Sequence, residues 1–185
     1  KGDRGGNGGL GRRPGSGRRP MGMHGMAMQF IRIVETVKSV DDLMAAMADI
    51  TTDLGFQYFA LAHHVDVLAV SGNAIRVHNY PSKWADYYDR QTLGVSDPVH
   101  RASHVTSVRF CWSRMPKMIP LTARDRRILE MGREQGIGDG FTVPAHVPGE
   151  ARGSCSFANE AGQPLPTAML PLAQLAGAFA FEAAR

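Results

Sequence analysis

Apolar positions recur along the chain with two different periods, and the alternation between them lays out the elements. Residues 40–54 carry Leu43, Met44, Met47, Ile50 and Leu54 as a stripe of helical period, with Asp41 or Asp42 as cap and Gly55 as stop. Before it, Phe30, Ile33, Val34 and Val37 fit one helical face over residues 28–38. Residues 56–65 then read as a buried strand, and 74–80 as its antiparallel neighbour across a Ser71-Gly72-Asn73 turn. Tyr80 precedes a proline, so it is extended and closes that strand. A helix starts at Pro81 or Ser82 and puts Trp84 and Tyr88, four apart, on one face. Asp97-Pro98 is an N-cap followed by a first-turn proline, opening a short helix, and Val108–Trp112 returns to strand. Leu121–Gln135 is helical, with Thr122 as N-cap, Asp125 three residues on and Gly136 as C-cap; its charged residues read as a solvated face. Residues 141–146 and 154–158 are strands joined by a hairpin-type connection, and a last helix covers about 167–183. About five strands, mostly antiparallel, with helices before, between and after them, predict an α/β fold, a three-layer α/β/α sandwich.

Composition adds a boundary. The 185 residues suit one domain with a sizeable core. The formal charge of +4 invites a nucleic-acid partner, but residues 1–25 hold six basic residues against Asp3. The other 15 basic and 16 acidic residues nearly cancel, so the globular part is close to neutral. Residues 1–25 also hold 10 of the 21 glycines and are expected to be a disordered basic tail, leaving 26–185 as the domain. With no Met at position 1, the tail is expected to be non-native or translated from upstream of the natural start, for which Met21, Met23, Met26 and Met28 are candidates. No apolar segment follows Arg18-Arg19, which argues against an export signal and for a cytoplasmic protein. The last helix is too short and interrupted to span a membrane; it suits packing on the domain or on a second subunit.

Catalytic and metal motifs are scarce. Cys111 and Cys155 are isolated thiols, pointing to neither a zinc site nor a disulfide framework. His100 and His104 are four apart, but no third ligand stands at a recognisable spacing, and His63 and His64 point to opposite faces of a strand. There is no nucleophile elbow, P-loop or dinucleotide fingerprint, and Ser154 and Ser156 have no obvious base. No metal, no cofactor and no enzyme activity are expected.

What the chain does carry is a concentration of aromatic and polar residues in 78–112. Each of Tyr80, Trp84, Tyr88 and Trp112 taken singly suits a core, and Asp97 a helix cap. Together they run Tyr80-Pro81, Trp84, Tyr88, then Asp97-Pro98-Val99 thirteen residues after the tryptophan, then Trp112 fifteen after Asp97. GIGDGFTVPAH (136–146) and GSCSFA (153–158) follow. This series resembles the autoinducer-binding domain of LuxR-type quorum-sensing transcription regulators, over roughly residues 28–183. The resemblance implies a PAS/GAF-like sensor architecture and an N-acyl-homoserine lactone held between sheet and helices. It implies that Trp84 donates to the lactone carbonyl, Asp97 accepts from the amide N–H, and Tyr80 and Ser156 donate to the amide carbonyl. Tyr88 and Trp112 wall the head group with Thr142 assisting, and Phe59, Leu61, Val99 and Phe110 line the pocket. Ala85 follows Trp84 where some relatives carry an arginine, which leaves reading of a 3-oxo group open. The family is further expected to form homodimers stabilised by ligand and to reach DNA through a C-terminal helix-turn-helix domain, absent from this chain. Two other readings are a ligand-independent dimerisation or titration module of a truncated regulator, and a lactone hydrolase.

Overall fold

The structure, a computed structural model, describes residues 22–64 and 74–185. Most of the expected tail and the Ser71-Gly72-Asn73 turn lie outside the described residues. Residues 23–25 of that tail are the first turn of helix α1 (Met23–Val34), in which Phe30 and Val34 are buried. Helix α2 (Val40–Asp53) follows, capped by Ser39 rather than by Asp41 or Asp42: the Ser39 hydroxyl accepts from the Asp42 N–H, while both aspartates favour the helix from within its first turn. Gly55, at φ 81°, ends it.

The strands are β1 (Tyr58–His63), β2 (Arg76–His78), β3 (Phe110–Cys111), β4 (Ile137–Ala145) and β5 (Gly153–Glu160). They form one five-stranded sheet in the order β2-β1-β5-β4-β3, with every pairing antiparallel. Between β2 and β3 lie α3 (Ser82–Arg90), a 3-10 turn at Leu93–Val95 and α4 (Pro98–Ser103); α5 (Ala123–Glu134) precedes β4, and α6 (Leu170–Ala183) closes the chain. The Val108–Trp112 strand is cut to two residues because Trp112 opens a 3-10 helix running to Lys117. Conversely, β4 begins four residues earlier than expected. A bulge between Ile137 and Gly140 absorbs the extra residue of the Gly-rich run.

The sheet has two unlike faces. Phe59, Leu61, Val77, Phe141, Val143, Cys155 and Phe157 join α1, α2 and α6 in the main core. The other face, covered by α3, α4 and α5, presents Ala60, Ala62, Thr142, Ser156 and Ala158, with two smaller clusters around Trp84 and around Val99 and Met115. These are the three expected layers, a five-stranded antiparallel sheet with helices on both sides. No helix among the described residues is long and apolar enough to cross a membrane.

Candidate ligand-binding site

The small side chains of that second face cannot reach the helices above them. The gap is a cavity of about 1030 Å³ whose lining includes Tyr80, Trp84, Tyr88, Asp97, Val99, Trp112 and Ser156. Local signals set most of these. Asp97 accepts from the Val99 N–H through Oδ1 at 2.7 Å, capping α4 with Pro98 in the first turn. Its other oxygen, Oδ2, accepts from the Tyr88 hydroxyl at 2.6 Å. The carboxylate is thus divided between its own helix and the cavity wall. Trp84 is 7% exposed, its ring edge-on to Tyr88 with centroids 5.8 Å apart. Burial raises the hydroxyls of Tyr80 and Tyr88, and Asp97 raises both further, so each stays a protonated donor.

A second polar line enters from the sheet. The Trp112 indole N–H donates to Thr142 Oγ1 at 2.8 Å, and Thr142 Oγ1 lies 2.8 Å from Ser156 Oγ across the β4–β5 register. Thr142 is fully buried, so turning its own proton to Ser156 satisfies it and leaves the Ser156 proton for the cavity. Trp112 is thereby a positioning group with its N–H already used, and Thr142 stands behind the cavity surface. Gly140 is what lets the indole lie there, since a Cβ at that position would overlap the Trp112 ring.

The expected wall residues divide. Val99 lines the cavity. Phe110 lies behind it, packed with Val99 and Met115 on the cavity side of the sheet. Phe59 and Leu61 belong to the main core on the opposite face, Leu61 only bordering the cavity. The strand alternates as expected, but Ala60 and Ala62 are the residues turned to the cavity. The charged face of α5 is likewise not simply solvated. Arg126, Glu130 and Arg133 reach the cavity lining, and Asp125 is buried, taking an ion pair from Arg101 at 2.7 Å and completing a capping box with Thr122. Burial alone would raise the Asp125 carboxyl; the Arg101 and Thr122 bonds outweigh it and hold it below its ordinary range.

One cluster escaped sequence reasoning because its members are distant in the chain. His64 turns away from its neighbour His63, which packs edge-on to Phe181, and stacks on His100 with centroids 3.9 Å apart. Its Nδ1 lies 2.8 Å from His104 Nε2, and its Nε2 lies 2.9 Å from Ser154 Oγ. Among the described residues no group of three or more His, Cys, Asp or Glu side chains is arranged to hold a metal ion.

Residues 39–184 match the family described as the autoinducer binding domain. The transcriptional activator protein LuxR of Aliivibrio fischeri is 24% identical over 131 residues, covering 71% of this chain and 52% of that protein. The transcriptional activator protein VanR of Vibrio anguillarum is 23% identical over 131 residues, with 71% and 53% covered. The chain therefore spans about half the length of these curated relatives. Among solved structures, Escherichia coli SdiA aligns with a TM-score of 0.67 at 18% identity over 85% of this chain and 65% of that one. CepR2 of Burkholderia cenocepacia, described as an N-acylhomoserine lactone dependent LuxR family factor, aligns at 0.63 and 14% identity over 80% and 90%. With the family matched over most of its length and the cavity where such a receptor needs one, the chain belongs to the autoinducer-binding domains, the signal-receptor domains of LuxR-type quorum-sensing regulators.

Proposed function

We propose that the cavity binds an N-acyl-homoserine lactone, whose binding stabilises the fold, favours a homodimer and so controls a DNA-reading module in the full-length regulator. The observation that carries this reading is the meeting of an Asp97 carboxylate oxygen, the Trp84 indole and the Tyr80 and Ser156 hydroxyls on one cavity with an otherwise largely apolar lining. An N-acyl-homoserine lactone presents one donor, the amide N–H, and two carbonyl acceptors, one on the amide and one on the lactone. Asp97 Oδ2 accepts from the amide N–H, a charge-assisted bond shared with Tyr88. Trp84 donates to the lactone carbonyl, and Tyr80 with Ser156 donates to the amide carbonyl. Tyr88 and Trp112 flank the head group, and Thr142 orients Ser156. The remaining volume, Ala60 and Ala62 at its floor, takes the acyl chain.

The mechanism is linkage. A ligand that binds only the folded state adds about 2.7 kcal/mol at 100 times its Kd. For a domain of this size that corresponds to a rise in Tm of roughly 5–10 °C. The cavity chemistry calls for binding and release, with the lactone returned intact. The SdiA structure in complex with octanoyl-rac-glycerol supplies a second ligand chemistry to weigh, since its hydroxyls offer Asp97 a donor without an amide. The test is a thermal-shift series with acyl-homoserine lactones of graded chain length beside octanoylglycerol, with mass spectrometry of a denatured extract of the purified protein. A lactone in the extract and a lactone-dependent shift are expected, together with a dimer in sedimentation. No shift with any lactone, or hydrolysed lactone after incubation, defeats the proposal.

A further inference from the structure

We propose that Arg76 and His78 form a donor subsite on the cavity side of β2 that reads an oxygen on the ligand's acyl chain, close to the amide, as in a 3-oxo or 3-hydroxy group. This rests on the lactone reading above and adds a specificity that nothing in the head-group contacts supplies.

The subsite follows from strand geometry. Alternation turns Arg76, His78 and Tyr80 toward the cavity they line and leaves Val77 in the main core. Their partners across the β1–β2 register are Ala62 and Ala60, too small to cover them. Opposite, on α3, Ala85 contributes only a methyl group to the lining. Donors for a chain oxygen on this side therefore come from β2.

Both side chains are set to donate. The Arg76 guanidinium pairs with Asp89 through Nη1, which ties β2 to α3 along the cavity and leaves other N–H groups unspent by that contact. In His78, Nδ1 is buried without a hydrogen-bond partner among the described residues. A bare lone pair is tolerated more readily than a bare N–H, so the proton belongs on Nε2, the nitrogen left to face the cavity. Burial first, and then the Arg76 charge, lowers the affinity of His78 for a second proton, with Asp89 opposing, so the ring remains neutral. The cavity rim at β2 thus carries donors, and its acid, Asp89, is already paired.

Distance fixes where the oxygen must be. The Tyr80 and His78 rings are nearly parallel, with centroids 5.9 Å apart. If Tyr80 holds the amide carbonyl, a group read by His78 lies one or two carbons further along the chain. A saturated chain would cover both donors with methylenes and leave them desolvated and unpaired.

The test uses three lactones of one chain length, saturated, 3-oxo and 3-hydroxy, titrated against the wild-type chain, His78→Phe and His78→Gln. The wild type is expected to prefer an oxygenated ligand over the saturated one by about tenfold, the worth of one desolvated hydrogen bond. His78→Phe, which keeps the ring against Tyr80, is expected to bring the ratio near one by weakening the oxygenated ligand alone; His78→Gln, which restores an N–H, recovers part of it. Arg76→Gln gives a second, independent reduction of the ratio should the His78 variants fold poorly. Equal affinities in the wild type, or an unchanged ratio in His78→Phe, overturn the subsite while leaving the lactone reading standing. If none of the three lactones binds, that reading falls and the subsite with it.

Discussion

Acidification should loosen this domain through His64, and the size of the effect follows from its contacts. The ring is enclosed by the His100 stack, by His104 on Nδ1 and by Ser154 on Nε2. Burial pushes its pKa far below the ordinary value of 6.5, and the neighbouring His100, His104, His146 and His63 push it the same way. The folded state therefore binds fewer protons than the unfolded chain at acid pH. The associated stability is whole above the unfolded-state value and is lost as the pH falls beneath it. One proton costs about 1.4 kcal/mol per pH unit, so His64 alone removes roughly 2 kcal/mol between about pH 6.5 and pH 5. Lowering Tm by about 2–4 °C per kcal/mol, that is a fall of roughly 4–8 °C. His104, lowered by burial and then by Arg152, adds in the same direction. The window stays above the range in which carboxylates such as Asp125 titrate. The assay is thermal unfolding between about pH 8 and pH 5 for the wild type and His64→Phe, which keeps the stack but cannot take a proton. The variant should be less stable at the alkaline end, because Ser154 loses its partner, yet show a flatter profile. Parallel profiles would refute the reasoning.

Four further outcomes are expected. Asp97→Asn should lower lactone affinity about ten- to a hundredfold in calorimetric titration, since a charge-assisted bond is worth about 1.5–3 kcal/mol. The Val99 cap is kept through the remaining oxygen, but the Tyr88 hydroxyl then loses its acceptor, so the ligand-free protein should also lose about 1–3 kcal/mol. Thr142→Val removes the acceptor of the Trp112 N–H and the partner of Ser156; a loss of about 1–3 kcal/mol in urea unfolding is expected, with weakened binding. Gly140→Ala should cost about 1–3 kcal/mol and shift Trp112 fluorescence, as its Cβ must displace the indole. Ala60→Leu, filling the cavity from its floor, should raise the ligand-free Tm and abolish the lactone-induced shift; a shift of wild-type size in this variant would show that the ligand binds elsewhere.

Legibility in the sequence tracked how local the physics is. The Asp97-Pro98 cap, the Trp84 and Tyr88 face and the Thr122 and Asp125 capping box each rest on residues within one or two helical turns, and each forms as the pattern requires. Period-two alternation found β1 but not its polarity: Phe59 and Leu61 are the large residues of the strand, and they fill the core while the alanines border the cavity. The cap at Ser39 was obscured by two aspartates close behind it, both at home in a first turn. Asp125 reads as surface charge until Arg101, a helix away in the chain, is brought against it. The His64 cluster and the Trp112–Thr142–Ser156 line need strand register and helix docking, which no short window holds.

The two faces of the sheet explain why a receptor of this build should couple binding to folding. Phenylalanine, leucine, valine and methionine close the layer under α1, α2 and α6 as a continuous buried cluster. Alanine, serine and threonine on the opposite face leave α3, α4 and α5 standing over a gap of about 1030 Å³. The helices that cover the gap are the ones that carry Trp84, Tyr88 and Asp97, so the groups proposed to recognise a ligand stand on the elements that border the unfilled volume. An apolar chain entering there buries surface on the cavity walls and on itself, at about 25 cal/mol per Å². The polar residues add selectivity to a driving force set by missing volume. On the proposed reading, the small residues at 60 and 62 matter to signal recognition as much as Asp97 does, because they leave the vacancy that the signal completes.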